Sequence, residues 1–157
     1  MNWQQLFLSA NGRIGQKDFW IGFAILFVGG LILGMIPVLG MIIGLVLIYP
    51  TVCVYSKRLH DFGKSGWLAA VPYAIGAVVM GVMTIAGGAA IFGAASGSAA
   101  GTGGAMAAFG MMGLVGLIGF FAWLGFTLWV GLSKSDPASN QYGQPPASLV
   151  GGTTATV

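Results

Sequence analysis

From Phe19 to Ser56, and again from Ser65 to Ser133, the chain carries no Asp, Glu, Lys, Arg or His. The apolar residues in these stretches form long unbroken runs rather than alternating faces, a pattern that points to lipid and not to a globular core. Charged residues make up only 6% of the 157 positions, against roughly a quarter in a soluble domain, too few to cover a water-soluble surface. The sequence therefore predicts a single all-α membrane domain.

Punctuation within the runs sets the expected spans. The first run, 19–36, gives about 27 Å of helix at roughly 1.5 Å per residue, close to the thickness of a hydrocarbon core. Pro37 ends it, and "PVLG" leads directly into a second run over 39–55, with Pro50 expected to kink the helix near its end. The charged stretch "SKRLHDFGKSG", 56–66, is predicted as a loop, and 67–92 as the third span. The uncharged "GAASGSAAGTGG", 93–104, has a composition that favours flexible coil and is expected outside the membrane, before a fourth span over 105–132. Residues 133–157 hold Pro137, Pro145 and Pro146 among small polar residues and are expected to be disordered. Residues 1–18 hold Arg13, Lys17 and Asp18 among polar residues, and no removable signal peptide is expected there.

All six basic residues fall into three of the five pieces outside these spans. Arg13 and Lys17 precede the first span; Lys57, Arg58 and Lys64 lie between the second and third; Lys134 follows the fourth. Lys and Arg are disfavoured on the translocated side, so the expected fold is four transmembrane helices as two antiparallel hairpins, with both termini and the central loop in the cytoplasm. Trp20, Tyr55, Trp67 and Trp129 sit near the expected cytoplasmic edge, where amphipathic rings prefer the headgroup level. Gly30 and Gly34, Gly40 and Gly44, and the strip Gly110, Gly113, Gly116, Gly119 have spacings that let helix backbones approach closely.

No expected span holds a titratable Asp, Glu, Lys, Arg or His, so the usual parts of an ion pathway are absent. The chemically dense segment is "KRLHDFGKSGW". Its "GKS" resembles the end of a phosphate-binding loop, but Arg58 stands where that motif needs its first glycine, so no nucleotide is expected. Lys64 and Ser65 precede an expected helix start, where free N–H groups favour an anion such as a lipid phosphate. His60 beside Asp61 invites an acid–base reading, yet neighbours on a helix point apart and no activated nucleophile accompanies them. One histidine with scattered aspartates is too thin a set for zinc, and six bases in no dense tract do not suit nucleic acid. The single cysteine, Cys53, reads as a small hydrophobe. No metal or cofactor is expected.

"GRIGQKDFW" (Gly12 to Trp20), "KRLHDFGKSGW" (Lys57 to Trp67) and "NQYGQPP" (Asn140 to Pro146) resemble the three signatures of domain-of-unknown-function family 805, the YhaH-like bacterial inner-membrane proteins. The resemblance implies a multi-pass protein of the bacterial inner membrane. All three signatures fall on the side that the charges assign to the cytoplasm. They are expected to form one surface patch there, from Gly12, Arg13, Lys17, Arg58, His60, Asp61, Lys64, Ser65, Trp67, Asn140 and Tyr142.

Three functions compete on this basis. A non-catalytic interaction protein would use the glycine faces and the patch to meet another membrane protein, a second copy of itself or anionic lipid. A transporter or channel component would need a polar path. A lipid-modifying enzyme would need His60 and Asp61 to converge on a pocket. The expectation is the first, with Asp61 facing at least one of Arg13, Lys17, Arg58 or Lys64, because a charge at a partly dehydrated interface is costly unless paired.

Overall fold

The computed structural model describes residues 3–36 and 38–146, and every regular element among them is helical. A short α1 (Trp3–Leu8) precedes α2 (Gln16–Gly34) and α3 (Leu39–Asp61). A 3₁₀ turn (Gly66–Ala70) leads into α4 (Val71–Ala95), and α5 (Ala99–Leu132) follows. Four of these helices are long and apolar enough to cross a membrane. Large apolar side chains are exposed along them, such as Leu45, Val78, Ile85 and Phe121, each more than 60% accessible. In hydrocarbon such surface needs no cover, and a helix satisfies its own backbone hydrogen bonds.

Contacts divide the chain into two units, one built from the residues up to Ala70 together with those from Leu128 onward, the other Val71–Thr127. In the first, α2 and α3 lie side by side with their numbering running in opposite directions. A Cβ on Gly22 would touch Val54 at 3.4 Å, one on Gly30 would touch Leu47 at 3.5 Å, and one on Gly40 would press on the Gly34 carbonyl oxygen at 2.8 Å. Of the paired glycines, only Gly40 thus sits at a tight approach; a Cβ on Gly30 would make an ordinary contact, and those on Gly34 and Gly44 would meet nothing. Pro37, expected to end the first span, lies outside the described residues.

α3 corrects the expected 56–66 loop. The helix does not stop at Tyr55 but runs through Lys57, Arg58 and His60 to Asp61. It ends where Gly63, at φ +72°, lets the Gly63 N–H reach the His60 carbonyl and the Lys64 N–H the Leu59 carbonyl. This paired closure needs a left-handed residue just past the helix, which glycine adopts without a Cβ clash. One of the four candidate spans therefore does end in titratable residues. Tyr55 is also not a headgroup anchor: it is buried, edge-on to Phe19 at 5.2 Å.

The expected 93–104 coil is also corrected. α4 continues to Ala95 and α5 begins at Ala99, leaving only Ser96–Ser98 between them. Ser98 caps α5, its Oγ accepting the Gly101 N–H at 3.0 Å, and Gly97 turns the chain at φ +63°. The small residues serve close approach rather than disorder, since a Cβ on Gly93 would lie 2.8 Å from the Gly101 carbonyl oxygen. Further along this pair, Cβ atoms on Gly116 and Gly119 would press on Met83 and Val79 at 2.8 and 2.9 Å, while Gly110 and Gly113 face open space. The glycine strip thus packs within the chain over only part of its length.

Candidate functional site

Three segments distant in sequence meet at the end of α3. Asp61, fully buried, accepts Arg13 Nε at 3.2 Å and Arg13 Nη2 at 3.1 Å on Oδ1, and Arg58 Nη1 on Oδ2. Arg58 and Asp61 are three residues apart, so the helix itself places them on one face. Arg13 comes from the turn before α2, where Gly12, at φ +91°, directs the chain inward and the Ile14 N–H bonds the Lys57 carbonyl. Of the four bases expected to face Asp61, Arg13 and Arg58 do so; Lys17 and Lys64 are exposed.

The remaining guanidinium hydrogens go to the last turn of α5 and the segment after it. Arg13 Nη1 donates to the carbonyls of Ala138 at 2.7 Å and Gly143 at 3.2 Å, and Nη2 donates to that of Asp136. Arg58 donates to the Val130 and Ser133 carbonyls and, at 2.9 Å, to Ser135 Oγ. Residues 133–146 are therefore held in place, which corrects the expectation of a disordered tail; 147–157 lie outside the described residues. Two buried cations need one carboxylate and many oxygen dipoles around them, and backbone carbonyls can supply the latter only if the tail folds back.

Asn140 to Gly143 form a closed turn. Asn140 N–H bonds the Gly143 carbonyl, the Gly143 N–H bonds the Asn140 carbonyl, and Asn140 Oδ1 accepts the Tyr142 N–H. The turn sets the Asn140 amide on the His60 carbonyl at 3.0 Å and stacks the Tyr142 ring on the imidazole, 3.8 Å between centroids and 8° from parallel. His60 Nδ1–H donates to the Gly12 carbonyl at 3.1 Å. His60 and Asp61 thus have separate partners. Gly66 seats its backbone against the same ring, for a Cβ there would lie 2.7 Å from His60 Nε2 and 2.1 Å from Ser56 Oγ.

Lys57, unremarked as a site in the sequence, is fully buried and points the other way along α3. Its Nζ donates to the carbonyls of Gln5 and, at 2.7 Å, Leu6. It caps the last turn of α1, whose carbonyls have no partner within the helix and carry its negative dipole end. Tyr49, eight residues earlier on α3, donates its hydroxyl to the Leu8 carbonyl at 2.9 Å, so α1 lies along α3.

The expected single surface patch therefore splits. Arg13, Arg58, His60 and Asp61 are buried, tied up with Asn140 and Tyr142; Lys17, Lys64, Ser65 and Trp67 are exposed. The anion expected at Lys64 and Ser65 loses part of its binding geometry, because Ser65 Oγ itself accepts the Trp67 N–H. Among the described residues, no buried side-chain N or O lacks a partner, and no three His, Cys, Asp or Glu converge as for a metal ion.

Two curated relatives, both described as uncharacterized protein YiiR, from Escherichia coli strain K12 and O157:H7, are each 41% identical to this chain over 73 residues. The match covers 42% of this chain and 50% of each relative, so the chain spans about half the length of the curated relatives it matches. No solved structure matches. Residues 7–144, which include every segment of the knot around Asp61, match the model of the family described as protein of unknown function DUF805, and the chain belongs to that family.

Proposed function

We propose that this chain is a non-catalytic protein of the bacterial inner membrane that works by association, as a subunit or partner of another integral membrane protein or of its own copies. In this reading the four spans form two antiparallel hairpins with both termini in the cytoplasm, because all six basic residues lie toward that side. The observation that carries the reading is the saturation of the signature cluster. Arg13, Arg58 and Asp61 spend their hydrogen bonds on one another, on Ser135 Oγ and on the chain's own backbone, and His60 gives its Nδ1–H to the Gly12 carbonyl. Such a knot fixes the ends of the helices relative to one another, and rigid helix ends suit a docking partner better than they suit turnover.

Purification of the full chain from its native membrane in mild detergent, followed by identification of co-purifying proteins, tests this directly. A stoichiometric membrane partner or a defined homo-oligomer is expected, and reporter fusions at residue 98 and at the C-terminus should report opposite sides. A strictly monomeric, partner-free protein would refute the association reading. So would a His60→Ala variant that reproduces a deletion phenotype while keeping normal abundance and co-purification, an outcome that would favour catalysis.

A further inference from the structure

Folding buries charges of both signs at the end of the first unit and leaves mostly positive charge exposed there. Arg13, Lys57 and Arg58 are buried together with Asp18 and Asp61, so both of those carboxylates are withdrawn from the surface. Lys17, Lys64 and Lys134 remain exposed, and the one other acid, Asp136, is half-buried with Oδ1 accepting the Ala138 N–H. The three lysines share one end of the same unit. Lys17 lies in the first turn of α2, four residues after Arg13; Lys64 follows Asp61 by three; Lys134 lies between Ser133 and Ser135, both bonded by Arg58. Trp67, three residues beyond Lys64 and 87% exposed, adds an amphipathic ring at the same end.

We infer that Lys17, Lys64 and Lys134, with Trp67 as an interfacial anchor, form a contact surface for the phosphate headgroups of anionic lipids in the cytoplasmic leaflet. The inference rests on the proposed orientation, which sets this end at that leaflet. Its support is charge complementarity: three exposed lysines at an end where two of the three carboxylates are buried and the third, Asp136, is half-buried, beside a residue type that settles at headgroup depth. The buried arginines of the signatures hold the segments that carry these lysines and do not touch lipid.

The test uses the purified full-length protein in neutral detergent, titrated with phosphatidylglycerol or phosphatidylcholine, with bound lipids counted by native mass spectrometry. Wild type should prefer phosphatidylglycerol, with the preference shrinking as salt is raised. Each of Lys17→Gln, Lys64→Gln and Lys134→Gln should weaken it about fivefold and the triple variant on the order of a hundredfold, from roughly 1 kcal/mol per basic residue near an anionic surface. An unchanged thermal transition in the triple variant separates this loss from unfolding. A triple variant that keeps the wild-type preference, or a wild type without one, overturns the inference. Co-purification and oligomeric state read on the same preparations distinguish the two proposals: a strictly monomeric, partner-free protein sinks the association reading alone, and an unchanged lipid count in the triple variant sinks this one alone.

Discussion

Replacing Asp61 with Asn tests the knot at its centre. The two side chains are nearly the same size, so the change removes charge and turns one acceptor into a donor. Asp61 accepts three side-chain hydrogen bonds, two from Arg13 and one from Arg58, all buried. Without its charge, the buried set of Arg13, Lys57, Arg58 and Asp18 keeps three cations against one carboxylate. Breaking a buried pair by removing one partner costs about 3–5 kcal/mol, because the remaining charge stays dehydrated. Asn retains one oxygen acceptor, so the expected loss lies toward the lower end, about 3 kcal/mol. It should be read as a shift in a denaturing-detergent titration of the purified protein. Hydrogen exchange should localise it, with the amides of Asp136, Asn140 and Gly143 losing protection first, since the Arg13 and Asp61 contacts hold that segment. Adding Arg58→Met to Asp61→Asn should recover part of the loss by removing one stranded cation. An Asp61→Asn protein within about 0.5 kcal/mol of wild type, the range of ordinary surface changes, would show that the cluster is solvated and the reasoning wrong.

Other expectations follow from single contacts. Gly66→Ala should cost about 1–3 kcal/mol, because its Cβ would overlap Ser56 Oγ at 2.1 Å, and a smaller side chain at Ser56 should not fully rescue it while His60 Nε2 remains 2.7 Å away. Complete rescue by Ser56→Gly would refute the role given to the imidazole. Lys57→Met should free α1 selectively, visible as faster hydrogen exchange over 3–8, with little global change because a buried charge leaves together with its two carbonyl bonds. Unchanged protection over α1 would mean that apolar packing holds it without the ammonium. Gly119→Leu should destabilise the unit Val71–Thr127 by about 1–3 kcal/mol through overpacking against Val79, whereas Gly110→Leu, facing open space, should be near neutral in a thermal transition. Equal effects at the two positions would contradict the packing of α4 on α5.

The sequence by itself determined four membrane-length helices, the gathering of charge into three segments outside the long apolar runs, and the need of Asp61 for a basic partner. Each follows from local physics: run length against bilayer thickness, and the cost of an unpaired charge near lipid. Only the tertiary structure decided where the helices stop and which charges are exposed. "SKRLHD" reads as a solvated loop when judged by its neighbours in sequence, yet it is helix, because Arg13, 48 residues before Asp61, and Ser135, 77 residues after Arg58, bring the polar groups that let it be buried. The tail reads as disordered from its prolines and small residues, and the order of residues 133–146 comes from arginine donors that lie elsewhere in the chain. The Ser98 cap and Gly97 turn were legible in principle, but Gly- and Ala-rich composition favours coil only where no second backbone is present to pack against it. Lys57 gave no local sign of its role, since the carbonyls that it caps belong to a helix more than 50 residues away. Periodicity and composition describe what one segment can do with solvent; which solvent it meets is set by the other segments that fold onto it.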